Sequence, residues 1–268
     1  MKDKRILYVS SEVVPYLPEN EVSQMSFDTP KMINDLGGQI RIFMPRYGSI
    51  NERRHQLHEV IRLSGMNLVI NDMDMPLIIK VASIPKERIQ VYFIDNDEYF
   101  KRKHTFVDEE NIMYEDNDER AIFFTKGVVE TVKKLNWVPD VIHVQGWLAS
   151  MLPLYMKKYY KDETIFADTK IVTSVFTKTF DQKLSENMYD KVAFDGFESS
   201  DIENLKEATF ENIMKNAIDF SDGVIISSEN ITSDLTNYIE TSGKPFLPFT
   251  PKEKMSEIYT DFYRNKVL

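Results

Sequence analysis

Residues Asp116 to Met151 read DNDERAIFFTKGVVETVKKLNWVPDVIHVQGWLASM, and the organisation of the chain follows from how this stretch divides. Between Asp118 and Leu135 the apolar residues Ala121, Ile122, Phe124, Val128, Val129, Val132 and Leu135 recur at helical spacing. That pattern predicts an amphipathic helix with Asp116 or Asn117 as its cap. Val141 to Val144 is then short and wholly apolar, as a strand buried on both faces of a parallel sheet must be. A further helix is expected over Trp147 to Tyr160.

Working outward, the same alternation continues in both directions. Arg5 to Ser10 reads as a strand, Ser26 to Leu36 as a helix stopped by Gly37-Gly38, and Gln39 to Met44 as a strand closed by Pro45. Lys170 to Phe176 is a strand, and Ala208 to Phe220 with Gly223 to Ser227 is a further helix and strand. Three β-rich runs, Val60 to Leu63, Leu77 to Ala82 and Val91 to Ile94, follow one another without a helix between them and suit an antiparallel excursion at one edge. The expected fold class is α/β: one Rossmann-like, three-layer α/β/α domain over residues 1–249 with a mainly parallel sheet. Residues 250–268 are expected to form a C-terminal helix, Lys252 to Tyr263, packing on the same domain through Met255, Ile258, Tyr259 and Phe262.

Composition narrows the function. Lys and Arg number 33 against 43 Asp and Glu, a net charge of −10, which argues against nucleic acid or an anionic membrane as a partner. There is no cysteine, so disulfides, thiolate catalysis and the common zinc ribbons are excluded together. No apolar run approaches a membrane span, and Ile6 to Val9 is too short for a signal peptide, so a cytoplasmic protein is expected. No cofactor and no metal site are expected. His55 and His58 could share a helical face, yet no third ligand is spaced to complete a site. The acidic runs Asp108-Glu109-Glu110 and Glu115 to Glu119 lack the glycine and closing glutamate of a calcium loop. Neither Ser11-Glu12 nor Ser227-Ser228-Glu229 has a partner histidine in sequence reach. His143 lies one residue from the end of an apolar strand, which favours a structural histidine held by a neighbouring carbonyl over a general base.

The stretch 116–151 resembles the bacterial glycogen and plant starch synthases, whose text there runs close to DNxERFxFF, then KLxWxPDVIH, then His-Asp-Trp. The opening resembles them too: Arg5 to Val9, Ser11-Glu12-Val13, Pro15, Pro30-Lys31, Arg41 and Pro45 to Ile50 all match. The likeness extends through the strand at Gly223 to Ser227. It implies the N-terminal half of a GT-B fold, antiparallel edge included, and retaining transfer of glucose from ADP-glucose to an α-1,4-glucan.

The likeness fails where the family's chemistry sits. Its donor loop, Lys-Thr-Gly-Gly-Leu, is here Pro18, Glu19, Asn20, Glu21 and Val22, and the following Asp is Gln24. Glycine lets backbone N–H groups approach a phosphate, whereas proline has no N–H and glutamates repel one. His-Asp-Trp becomes Gln145, Gly146, Trp147. The family's donor-contacting histidine falls on Phe176 in one alignment and on Thr179 in another. No residue is therefore assigned as catalytic. Tyr47, Tyr99 and Trp147 stand where the resemblance implies glucan-binding aromatics. No signature of the family's C-terminal half is found in the tail.

Two expectations remain open. One is a non-catalytic domain of α-glucan metabolism that binds glucan or a glycogen-metabolism enzyme. The other is a synthase subunit acting with a separate chain that carries the second half. The sequence does not specify an oligomeric state.

Overall fold

The computed structural model describes residues 1–268. Its ten strands are β1 (Arg5–Ser10), β2 (Gln39–Pro45), β3 (His58–Glu59), β4 (Met66–Ile70), β5 (Met73–Ser83), β6 (Gln90–Asp95), β7 (Val141–Gln145), β8 (Lys170–Val175), β9 (Gly223–Ile226) and β10 (Phe246–Leu247). The helices are α1 (Glu21–Asp35), α2 (Glu52–His55), α3 (Asp97–Phe100), α4 (Asn117–Leu135), α5 (Leu152–Leu154), α6 (Met188–Ala193), α7 (Phe210–Asp219), α8 (Ser233–Thr241) and α9 (Met255–Phe262). The sheet order is β10-β9-β8-β7-β1-β2-β6-β5-β3, with β4 paired to β5. The strands from β10 to β6 are joined by parallel pairings, and β3, β4 and β5 supply the antiparallel edge. This is the mainly parallel α/β sheet expected from the βα alternation.

Several boundaries move, each for a local reason. Val60 to Leu63 is a turn, not a strand. The strand at Val91 to Ile94 pairs in parallel with β2, so it belongs to the main sheet and not to the antiparallel excursion. Helix α1 begins at Glu21, ahead of the expected Ser26, because Asn20 and Ser23 form a capping box that starts it early. The expected helix Trp147 to Tyr160 is broken into a 3-10 turn (Trp147–Ala149), α5 and a π-helical turn (Tyr155–Tyr159), with Pro153 in the first turn of α5. Proline is tolerated there because the missing N–H would have had no partner.

Helix α4 is almost entirely buried, which explains why it carries apolar residues beyond one stripe. It lies close against the sheet at Gly127, where a Cβ would stand 2.9 Å from Ile94 Cγ2 and 3.1 Å from Leu77 Cδ1. At the preceding residue the Lys126 ammonium, buried, donates to Val69 O at 2.8 Å and to Asp195 Oδ1 at 2.6 Å, and Tyr155 donates to Asp195 Oδ2 at 2.6 Å. Such a group is tolerable in the interior because every charge has a partner.

On β7, His143 and Gln145 face one layer, where α1 and α9 lie, while α5 packs on α7, and α4 and α7 both meet the 3-10 turn Trp147–Ala149. Met255, Tyr259, Phe262 and Tyr263 belong to the same hydrophobic core cluster as Ile6 and Val9. Ile258 is only half-buried. Phe262 reaches within 3.1 Å of the place a Cβ on Gly223 would occupy, so the helix covers the start of β9.

Replacing Phe262 by alanine removes a ring buried on all sides and is expected to cost about 3 to 5 kcal/mol of stability. Urea unfolding followed by far-UV circular dichroism measures it. An unchanged midpoint would mean that α9 contributes nothing to the core.

Candidate functional site

From β1 the chain crosses to β2 on one side, and later returns to β7 on the other side of β1. Connections that leave neighbouring strands in opposite directions open a crevice beyond their carboxyl ends, the usual ligand position in such sheets. Here the crevice is a cavity of about 370 Å³. Its floor is built where β1 and β7 end. Ser11 N–H donates to Gln145 O at 2.9 Å, and Leu148 N–H donates to Ser11 Oγ at 3.1 Å. Gly146 passes so closely that a Cβ would lie 2.5 Å from Ser11 Oγ, and its φ of +84° is one that L side chains rarely adopt.

The wall toward α1 is formed by Glu12, Asn20, Glu21 and Val22. This loop is closed upon itself. Asn20 Oδ1 accepts from Ser23 N–H at 2.8 Å, Ser23 Oγ accepts from Asn20 N–H at 2.8 Å, and Asn20 Nδ2 donates to Glu12 Oε1 at 2.9 Å. Burial raises the Glu12 carboxyl above the usual carboxylate range, against the opposing pull of the Asn20 hydrogen bond. Of the six donor-loop positions singled out in the sequence, Asn20, Glu21 and Val22 line the cavity; Pro18 and Glu19 are exposed beside it, and Gln24 is half-buried away from it.

The opposite wall comes from residues that follow β8 and from α7. Phe176, Thr177, Lys178 and Thr179 line it, with Phe210 and Met214. Both alignments of the family's histidine therefore fall on the same wall, as a buried phenylalanine and an exposed threonine. Lys178 is the one cation in the lining, and its ammonium lies 3.0 Å from Asp181 Oδ1 and 3.2 Å from Glu211 Oε1. Trp147 also lines the cavity, its ring 5.0 Å from Phe106 and 5.2 Å from Phe180 between centroids.

The other sequence candidates lie elsewhere. Gln145 is fully buried between the sheet and α1, accepting from Ser10 Oγ at 3.0 Å and donating to Thr29 Oγ1 at 3.3 Å. Tyr47 and Tyr99 offer no surface to a glucan: both are core residues, with hydroxyls spent on Ser11 O (3.0 Å) and Glu119 Oε2 (3.0 Å). His55 ends α2 whereas His58 lies in β3, so they share no helical face, and no group of three His, Asp or Glu side chains is arranged to hold a metal ion. No helix is long and apolar enough to cross a membrane. Sequence reasoning passed over Glu12, Phe106, Lys178, Phe210 and Met214 as lining residues. Glu12 stood within a matched motif; the others reach the cavity only through the fold.

His143 is held by hydroxyls, not by a carbonyl. Its Nδ1 lies 2.6 Å from Tyr263 Oη and its Nε2 2.7 Å from Ser174 Oγ, which also lines the cavity. The Ser174–His143 contact has the spacing of a nucleophile and its base. Burial defeats that use: desolvation lowers the imidazole pKa to about 3, and no carboxylate stands behind the ring to stabilise an imidazolium.

Comparisons with known proteins agree with this architecture. The model of the starch synthase catalytic domain matches residues 5–243. A glycogen synthase of Chlorobium limicola is 40% identical over 172 residues, covering 64% of this chain and 35% of that protein. A glycogen synthase of Chlorobaculum parvum is 32% identical over 246 residues, covering 90% of this chain and 49% of that protein. The chain thus spans half or less of the length of these curated relatives. Among solved structures, the catalytic domain of starch synthase IV from Arabidopsis thaliana, bound to ADP and acarbose, superposes with a TM-score of 0.75 at 14% identity, over 98% of this chain and 53% of that one.

The buried imidazole makes stability depend on pH in a defined direction. Between the unfolded pKa near 6.5 and the folded value of about 3, the unfolded chain binds the extra proton, so stability falls as pH falls through this window. The loss attributable to His143 is about 1.4 kcal/mol per pH unit. At pH 5 it reaches about 2 kcal/mol. Urea titrations of the wild type and His143→Gln at pH 7 and pH 5 isolate it: the wild type should lose more stability than the variant by that amount. Equal losses would place the ring in contact with water.

Proposed function

The chain belongs to the starch synthase catalytic-domain family, and from that premise we propose that it serves α-glucan metabolism as a glucan-binding domain that does not itself transfer glucose. One observation carries this reading: the cavity at the strand ends is walled by carboxylates and aromatic rings and has no free cation. A nucleotide-sugar diphosphate needs arginine, lysine or open backbone N–H groups. Here Glu12 and Glu21 face the space, Lys178 is already neutralised by Asp181 and Glu211, and the Asn20–Ser23 box occupies its own N–H groups. Without groups that fix and neutralise the leaving diphosphate, the positioning and electrostatic stabilisation that lower a glycosyl-transfer barrier are missing.

The same lining suits a neutral sugar. Carboxylates accept hydrogen bonds from hydroxyl groups, and the apolar part of the lining at Trp147 and Phe176 suits the C–H groups of a pyranose. The ligand class proposed is therefore a maltooligosaccharide segment of an α-1,4-glucan.

Calorimetric titration separates the readings. A maltooligosaccharide should bind and ADP-glucose should not, and Glu12→Gln should weaken glucan binding roughly tenfold, the loss of one charge-assisted hydrogen bond. Pro18→Lys alone should not restore transfer. Saturable heat with ADP-glucose, or radiolabelled glucan made above the background of heat-killed protein, would overturn the non-catalytic assignment. Transfer that starts only when a polypeptide carrying the second GT-B half is added would identify the chain as a synthase subunit. Binding of neither ligand would end the glucan reading.

A further inference from the structure

Four buried polar groups, on β7, on β8, just after β9 and on the terminal helical segment, form one unbroken hydrogen-bonded line. Tyr263 Oη lies 2.6 Å from His143 Nδ1, His143 Nε2 lies 2.7 Å from Ser174 Oγ, and Ser227 Oγ donates to Ser174 Oγ at 2.8 Å. Ser174 is on the lining of the cleft; the end far from it, Tyr263, is in the π-helical turn Tyr263–Val267 that follows α9. Nothing in the site described above requires the far end, so what it does is an open question that proton counting answers.

A neutral imidazole carries one proton, so one ring nitrogen donates and the other accepts. If Nδ1 held it, Tyr263 would accept, and the only remaining oxygen for its own proton would be Tyr8 Oη at 3.4 Å, too far for a good bond. A fully buried phenol would then keep an unsatisfied O–H, an arrangement proteins avoid. If Nε2 holds the proton, Tyr263 donates to Nδ1 over the short 2.6 Å contact, and Nε2–H donates to Ser174. Ser174 then accepts twice, from His143 and from Ser227, and its own proton has no protein partner left in the line.

We propose that Tyr263 fixes His143 as the Nε2–H tautomer and thereby turns the Ser174 hydroxyl into a hydrogen-bond donor directed into the cleft. Tyr263 is in this sense a positioning residue, acting through His143 on the polarity of the cleft lining at Ser174. The ligand group that such a donor recognises is a neutral oxygen acceptor, such as the ring or bridging oxygen of a sugar. That last step rests on the glucan-binding reading; the tautomer does not.

The test is a long-range proton–nitrogen correlation spectrum of the whole chain labelled with 15N-histidine, with His143 assigned by its loss in His143→Gln. The expected spectrum shows Nε2 protonated and Nδ1 bare, unchanged from about pH 5 to 8, where an ordinary histidine titrates. In Tyr263→Phe, with the donor to Nδ1 removed, both nitrogen signals should move away from these limiting positions toward an average of the two tautomers. A protonated Nδ1 in the wild type overturns the proposal, and so does an unchanged spectrum in Tyr263→Phe, which would mean that β8 alone sets the ring. Ser174→Ala should keep the wild-type tautomer and weaken maltooligosaccharide binding roughly tenfold, and unweakened binding would remove the donor from the cleft. Failure of the wild type to bind any glucan ends the ligand assignment alone, since the spectrum still decides the tautomer.

Discussion

The passage of Gly146 over Ser11 is the constraint on which the site depends. Two parallel strands end side by side, and the backbones that leave them must separate to opposite faces of the sheet within a residue or two. That is possible here because one of the crossing residues has no side chain and can adopt a left-handed φ. Ser11 then serves both strands, giving its N–H to Gln145 and accepting from Leu148. With the floor fixed, the walls have little freedom. Glu12 follows Ser11 directly, Trp147 follows Gly146 directly, and each is carried to the rim by the same crossing.

The chemistry of the cleft comes from how the walls use their polar groups. The beginning of α1 is a natural place for an anion, yet its capping side chains are turned inward and its rim carries Glu21. The loop after β8 supplies a lysine whose charge is already matched by two carboxylates. On the reading proposed above, walls of this kind change what fits without altering the fold, since one fold can carry different ligand sites.

The parts of this structure legible in the sequence are those written locally. The strands β1, β2 and β7 and helix α4 follow from apolar runs of the right length and period, and the substituted motifs 18–24 and 145–147 mark the neighbourhood of the cleft. What stayed hidden is inward or outward direction and long-range company. Tyr47 and Tyr99 carry the composition of a binding surface, but their rings point into the core, and a phenol buried with its hydroxyl bonded costs little. Gln145 sits one residue from the cleft and faces the other way because side chains alternate along a strand. Helix α8 was missed because its apolar content is slight, and β10 because two residues are too few to show a period. No local pattern could have named Tyr263 as the partner of His143, because 120 residues separate them.

The contact between Tyr8 and Tyr263 joins residues 255 positions apart. A ribosome adding about 5 to 20 residues per second takes tens of seconds to travel that distance. Until Tyr263 is made, the part of β1 and β7 that the terminal segment covers stays bare beside α1, and the hydroxyl that will satisfy His143 Nδ1 is missing. Contacts of such sequence separation close slowly even in the finished chain. The exposed inner face of a growing parallel sheet is an invitation to other strands, so nascent chains of this fold have an extended period in which holdase chaperones matter. In the cell, truncated products that stop short of Tyr263 should be found in the insoluble fraction or bound to those chaperones.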